Sequence, residues 1–370
     1  MAAAFFLLMV MMLQLGAMAA PCYPALFSFG GSLSDTGNGV LTGNIDSQRT
    51  TQRPYGETDP GSPAKRFSDG RLTVDFLATR VGLPFLNPSL DLTASFSTGA
   101  NYAVSGATAE DALTLAATKF IVPQSPFSLD VQVSLHLKLQ SSAPSPKKPS
   151  AETFSKGLYV IEIGSNDYSG ALANPLLYPP ATVISSFVPA VIAKIRNATE
   201  VLYASGARQF LLIGVPPIGC IPAALSAFKS NASRDGNGCI PELNAISDTH
   251  ASQLLSTAND LRSRHADATY TFLDFNGAYI DVLRSSAALG FSNTLDACCG
   301  AGPTAPNRFN RLVFCSAAST TAASTLCPDP NVFFSWDGIH PTNRLISVIS
   351  QRTFGSGAFL NPSNPFATCP

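Results

Sequence analysis

A serine, an asparagine and an Asp-x-x-His pair, widely separated in the chain, are the side chains whose types could do covalent chemistry together. Ser32 follows two glycines in FSFGGSLSDTGN (27–38), Asn166 lies in GSND (164–167), and Asp337 and His340 share FFSWDGIHP (333–341). Gly106 ends a further small-residue stretch, GANYAVSG (99–106). Acyl transfer needs a hydroxyl to attack, a base to take its proton, a carboxylate to orient that base, and neutral donors for the developing oxyanion. These residues supply each part. Of the 4 histidines, His340 is the one with a carboxylate three residues before it.

Every part also has a plainer reading. Ser32 could be a turn residue among Gly, Asp and Thr, Asn166-Asp167 a helix cap, and Asp337-Gly338 a simple turn. His136, in VQVSLHLKLQ without an acidic neighbour, reads as structural, and His250 as an interior hydrogen-bonding group. His265, among Arg and Asp at a helix end, reads as part of a solvated face. Trp336 reads as a packing residue beside the Asp/His loop. Joint placement is what favours chemistry.

That placement comes from the elements. Ala25–Phe29, Leu158–Ile163, Gln209–Val215 and Thr269–Phe275 are short apolar runs suited to strands buried on both faces. Between them, Ile184, Phe187, Val188, Val191, Ile192, Ile195 and Leu202 recur at three- and four-residue spacing, predicting a helix. Pro189 predicts a kink or a later start, and Gly206 a stop. A second helix is expected over 242–264, with Leu243, Ile246, Leu254, Ala258 and Leu261 inward. Alternating strand and helix implies an α/β fold with a parallel sheet covered on both faces. Ligands of such sheets bind outside the carboxyl ends of the strands, where Ser32, Gly106, Asn166 and the Asp337/His340 pair all fall. No G-x-S-x-G surrounds any serine, so the strand–turn–helix nucleophile elbow is absent. The Ser/Pro-rich stretch 141–151 reads as an exposed loop.

Composition narrows the classes. With 23 Lys+Arg against 24 Asp+Glu and no basic run, the chain does not read as a nucleic-acid binder. At 45% hydrophobic residues it does not read as disordered. Residues 3–20, AAFFLLMVMMLQLGAMAA, form an apolar core followed by small residues. With Ala17-Met18-Ala19 as a cleavage site, residues 1–19 are expected to be a signal peptide, and 20–370 a single domain. No later stretch is apolar enough to span a membrane. All 8 cysteines lie beyond residue 19 without a paired C-x-x-C or a histidine cluster. Structural disulfides in an oxidising compartment are therefore expected rather than zinc, with the pairing left open. Asn197-Ala-Thr199 and Asn231-Ala-Ser233 are glycosylation sequons.

The blocks just quoted, together with PYG (54–56), RFSDGRLTVDFLA (66–78), LYASGARQFLLIGVPPIGC (202–220), ACCGAG (297–302) and SWDGIHPT (335–342), resemble the plant GDSL esterase/lipase family of the SGNH hydrolase superfamily. The resemblance runs from about Ala25 to Leu360. It implies a three-layer α/β/α fold with a central parallel, flavodoxin-like sheet. It implies Ser32 as nucleophile, His340 as base and Asp337 as its partner. The backbone N–H groups of Ser32 and Gly106 and the Asn166 amide would form the oxyanion hole. No metal or organic cofactor is implied. The expected activity is that of a secreted serine ester hydrolase of the cell wall or apoplast, acting on acyl or acetyl esters of lipids, polysaccharides or specialised metabolites. An acyltransferase would use the same acyl-enzyme.

The chain departs from the family at Gly31, where the name motif carries Asp. Losing that carboxylate leaves the nucleophile, base and donors in place, so a working hydrolase with altered preference or slower turnover is expected. A catalytically weakened binding protein is the alternative. A second departure is Asn343-Arg344-Leu345, where the family usually continues Glu-Ala-Ala. That change is expected to matter less.

Overall fold

A computed structural model describes residues 22–59, 65–228, 232–315, 324–362 and 364–369. The expected signal peptide, residues 1–19, and the sequon asparagine Asn231 lie outside the described residues. Five parallel strands form the body of the central sheet: β1 (Leu26–Gly30), β2 (Gly99–Asn101), β3 (Leu158–Glu162), β4 (Gln209–Ile213) and β5 (Thr269–Leu273). Four further short strands are β6 (Asn293–Ala297), β7 (Cys299–Gly300), β8 (Thr325–Leu326) and β9 (Phe333–Ser335), paired as β6–β9 and β7–β8. The last strand, β10 (Leu360–Asn361), adds antiparallel to β5, giving the order β10-β5-β4-β3-β1-β2.

The strands are apolar on both faces because both faces are covered. Phe27, Phe29, Tyr159, Ile161, Phe210, Leu212, Tyr270 and Phe272 join one core with helices α2 (Leu129–Ser141), α4 (Val188–Ala204) and α5 (Pro241–Arg264). The alternate residues Leu26, Leu158, Val160, Leu211, Ile213 and Leu273 join the opposite core with α1 (Thr73–Arg80), α6 (Phe275–Arg284) and α7 (Asn343–Ser350). Helix α3 (Ser165–Leu172) starts directly after β3. The period-two alternation of each run thus feeds two cores, an α/β fold of helices on a mostly parallel sheet.

The 184–202 stripe is one helix with a disturbed start. Val183–Phe187 winds as a π-turn and the regular helix begins at Val188, so Pro189, which has no N–H to give, falls in its first turn. The helix ends at Ala204, and Gly206 takes a φ of 110°. All five positions expected inward on α5 are buried.

The 8 cysteines form four disulfides: Cys22–Cys369, Cys220–Cys239, Cys298–Cys327 and Cys299–Cys315. The first joins the two ends of the described chain. Among the described residues no helix is long and apolar enough to cross a membrane.

Strand order turns about β1, with β2 on one side and β3 on the other. In sheets of this order the crevice for ligands opens outside the carboxyl ends at that reversal. Ser32 lies just past the end of β1, and Asn166 just past the end of β3.

Candidate active site

The nucleophile loop begins where β1 can no longer carry side chains. A Cβ on Gly30 would stand 2.2 Å from the Glu162 carbonyl oxygen of β3, so only glycine lets the strands pair to this point. Gln132 of α2 then grips the strand end, accepting from Gly30 N–H at 2.8 Å and donating to Gly30 C=O at 2.9 Å. The chain turns at once, with Ser34 N–H donating to Gly31 C=O at 3.1 Å. Ser32 stands on that turn, half-buried.

The loop after β9 brings the base. His340 Nε2 lies 2.8 Å from Ser32 Oγ, and His340 Nδ1 lies 2.7 Å from Asp337 Oδ2. Asp337 Oδ1 accepts from the N–H groups of Ile339 (3.0 Å) and His340 (2.8 Å), which makes Asp-x-x-His a closed turn. Gly338 takes a φ of 91° within it, a conformation that disfavours a Cβ. Trp336 N–H donates to His340 C=O at 2.7 Å and closes the loop. The imidazole packs on the Phe67 ring, centroids 4.6 Å apart. Burial pushes the Asp337 carboxyl up. The facing His340, its ring hydrogen bond and the backbone donors outweigh that, leaving the carboxyl below its ordinary value. An ionised Asp337 fixes the proton on Nδ1, so Nε2 is the nitrogen free to accept from Ser32.

Gly106 and Asn166 come from opposite sides of β1. Gly106 has a φ of 77°, and a Cβ there would stand 2.6 Å from the Gln124 side chain. Asn166 is in the first turn of α3, and its Nδ2 donates to Ala107 C=O at 2.8 Å. The segment that carries Gly106 is pinned on both sides by carboxylates. Asp35 accepts from Ser105 N–H at 2.8 Å and also from Gly37, Asn38 and Gly39. Asp167 accepts from Ala109 N–H at 2.9 Å and Glu110 N–H at 3.0 Å. Burial raises both carboxyls despite these donors, Asp167 to about 7. Glu162, buried beneath the loop with Ser34 Oγ donating to it at 3.1 Å, is pushed by desolvation to about 8.

The structure therefore brings together Ser32, His340 and Asp337 in one hydrogen-bonded line, and sets Asn166 against the Gly106–Ala107 turn. The other histidines lie elsewhere. His136 is buried in a ring of aromatics and His250 bonds Tyr168 Oη at 2.7 Å, burial holding each down near about 3. His265 differs from the sequence expectation of a solvated face. It is half-buried, stacked on Tyr203 at 3.8 Å and paired with Glu200 at 2.7 Å. Trp336 is fully buried against Tyr55. Asn343 does more than a helix-start residue need do. Its N–H donates to Asp69 at 2.7 Å and its Oδ1 accepts from Arg71 N–H at 3.0 Å, joining α7 to the SDGR turn.

Sequence reasoning passed over four supporting groups: Asp35, Asp167, Glu162 and Tyr55. Asp35 and Asp167 stand inside the quoted blocks, which was a signal. Tyr55 also stands in a quoted block, PYG, but nothing there points to its partner 282 residues away, and Glu162 gave no signal at all. Among the described residues no group of three or more His, Cys, Asp or Glu is placed to hold a metal ion.

Comparison with known proteins follows the same lines. The GDSL-like Lipase/Acylhydrolase family matches residues 26–351. The chain is 35% identical to acetylajmalan esterase 2 of Rauvolfia serpentina over 86% of each chain. It is 34% identical to a GDSL esterase/lipase of Arabidopsis thaliana, covering 93% of this chain and 91% of that one. It is also 32% identical to a protein of the same plant named alpha-L-fucosidase 3, over 89% of this chain and 90% of the other. A serine and histidine in contact at the sheet's reversal point, and similarity spanning nearly the whole chain, place it in the GDSL lipase/acylhydrolase family, among the plant GDSL esterase/lipases.

Proposed function

We propose that the protein is a serine carboxylic ester hydrolase working through an acyl-enzyme at Ser32. The observation that carries this reading is the unbroken line Ser32 Oγ–His340 Nε2 and His340 Nδ1–Asp337 Oδ2, at 2.8 and 2.7 Å. His340 takes the Ser32 proton as Oγ attacks the ester carbonyl carbon. The C=O electron pair moves onto oxygen, which the second Asn166 N–H and the backbone N–H groups of Gly106 and Ser32 would meet. Collapse expels the alcohol with the proton from His340. Water, deprotonated by the same imidazole, then releases the acid.

Acetyl esters are the first substrates to try, since one relative is named an acetylajmalan esterase. Four disulfides suit an oxidising compartment and support a secreted enzyme, with Asn197 exposed on α4 as an acceptor for glycan. The test is turnover of aryl acetate and butyrate together with labelling by a fluorophosphonate. Ser32→Ala should lose about 10⁴-fold or more in kcat/KM and all labelling. Wild-type protein that neither labels nor turns over any acyl ester would refute the reading.

A further inference from the structure

Asp337 has a partner that the acyl-transfer scheme does not use. Tyr55 Oη donates to Asp337 Oδ2 at 3.0 Å, on the same oxygen that His340 Nδ1 approaches at 2.7 Å, across 282 residues of sequence. We propose that Tyr55 is a positioning residue that shares Asp337 Oδ2 with the imidazole, and so sets how strongly the carboxylate holds His340 in its protonated form. This rests on the ester-hydrolase reading above.

The placement is built, not incidental. Tyr55 is 5% exposed, with its ring against Trp336 at 5.9 Å and Phe67 at 6.2 Å, and Phe67 itself covers His340. Its segment is tied down by Gly56 N–H to Ser68 C=O at 3.0 Å and Thr58 N–H to Asp69 C=O at 2.9 Å. Asp69 is in turn held by Asn343 of α7. PYG and SDGR therefore form one packed layer over the Asp/His turn, and Tyr55 is its reach into the site. Burial, followed by the neighbouring carboxylate, raises the phenol well above its ordinary value, so it stays a donor throughout the working range. The ionisable groups acting on it are Asp337, which faces it directly, and Arg49 and Asp46 of the short helix Ile45–Arg49. Trp336 and Phe67 pack on its ring without charge.

A second donor on Oδ2 draws off part of the carboxylate's negative charge. Tyr55→Phe keeps the ring and removes that donor. The carboxylate then attracts the imidazolium more strongly, and neutral His340 is reached only at higher pH. The acid limb of kcat/KM should move up by about half to one pH unit, with the plateau changed by less than about threefold. The pH dependence of fluorophosphonate labelling should move with it. Incorporating 3-fluorotyrosine at position 55, a stronger donor of nearly the same shape, should move the limb down. An unchanged limb in both variants would overturn the proposal. A lowered plateau or melting temperature with an unmoved limb would also overturn it, showing a merely structural tyrosine. Failure of the wild type to turn over or label would instead count against the ester-hydrolase reading itself.

Discussion

Gly31 lies against Asn166: a Cβ built on Gly31 would stand 3.0 Å from Asn166 Nδ2. The departure from the family motif therefore touches the proposed oxyanion donor rather than the nucleophile. Asn166 has little room to yield, because its amide is bonded to Ala107 C=O and the next residue, Asp167, is bonded to Ala109 and Glu110. Gly31→Ala should thus displace the amide by a few tenths of an ångström. Since a misplaced donor weakens transition-state binding more than substrate binding, kcat should fall by about tenfold, with KM nearly unchanged. A rise in kcat for Gly31→Ala would show that Asn166 moves freely. Gly31→Asp, which puts back the family residue, tests the expected slower turnover: a rise in kcat there bears it out and a fall contradicts it.

Asp167→Asn tests the clamp on the Gly106 segment. The carboxylate takes one backbone N–H on each oxygen, whereas an amide has a single oxygen and presents N–H to the other donor. One buried N–H is left unmade, which costs about 1–3 kcal/mol. The amide also removes the burial penalty of an ionised Asp167, so the two effects offset in unfolding and kcat is the decisive readout. Because the freed segment carries Gly106, kcat should drop while fluorophosphonate still labels Ser32. A variant with wild-type turnover would mean the loop needs no such tie.

The parts of this site that a single sequence exposes are those that announce themselves locally. Ser32 follows an apolar run and Asn166 begins a helix after β3, so both could be placed at central strand ends. Asp337 and His340 sit one turn apart, but their strand β9 pairs with β6 and does not join the central sheet as expected. Tyr55, Asp35, Asp167 and Glu162 act through partners chosen by the tertiary fold, and no spacing rule points from Tyr55 to Asp337. The disulfide pairing was open for the same reason. His265 was misplaced because its charged neighbours in sequence suggested solvent, while the stacking Tyr203 comes from another helix. The short β10 carries only two residues and no periodic signal.

Glu162 should make the fold less stable as pH rises. Its folded carboxyl titrates near about 8 against an ordinary 4.5, raised by desolvation. Below pH 4.5 both states hold the proton and there is no penalty. As pH climbs from there to 8 the unfolded chain releases it and the folded chain does not, so stability falls by up to about 4 kcal/mol. Asp167, raised to about 7 from 3.8, acts with the same sign over a lower window. Asp337, lowered, acts oppositely in acid. Glu162→Gln keeps an acceptor for Ser34 and removes the ionisation. Melting temperatures between pH 5 and 8.5 should fall less steeply in this variant than in wild type, and parallel curves would exclude Glu162 as the source.

The Cys298–Cys327 disulfide should matter to turnover as well as to stability. It closes a segment with a separation of 29 residues, and cross-linking a loop of that size stabilises by about 3.6 kcal/mol through the unfolded state. Its position adds a native-state role. Cys298 N–H donates to Ser335 C=O at 3.0 Å, and Cys299 N–H to Trp336 C=O at 2.7 Å. The disulfide-bearing segment is thus hydrogen-bonded to the two residues immediately before Asp337. Replacing both cysteines by serine should lower the melting temperature and, at temperatures where the protein is still folded, reduce kcat several-fold. The sharper comparison is Cys22→Ser with Cys369→Ser, which opens the far longer link of 347 residues without touching the Asp/His loop. That pair should lose stability while keeping kcat. If both double variants keep wild-type kcat at temperatures where they are folded, the hydrogen bonds alone hold the base loop, and the disulfide serves only to stabilise the chain.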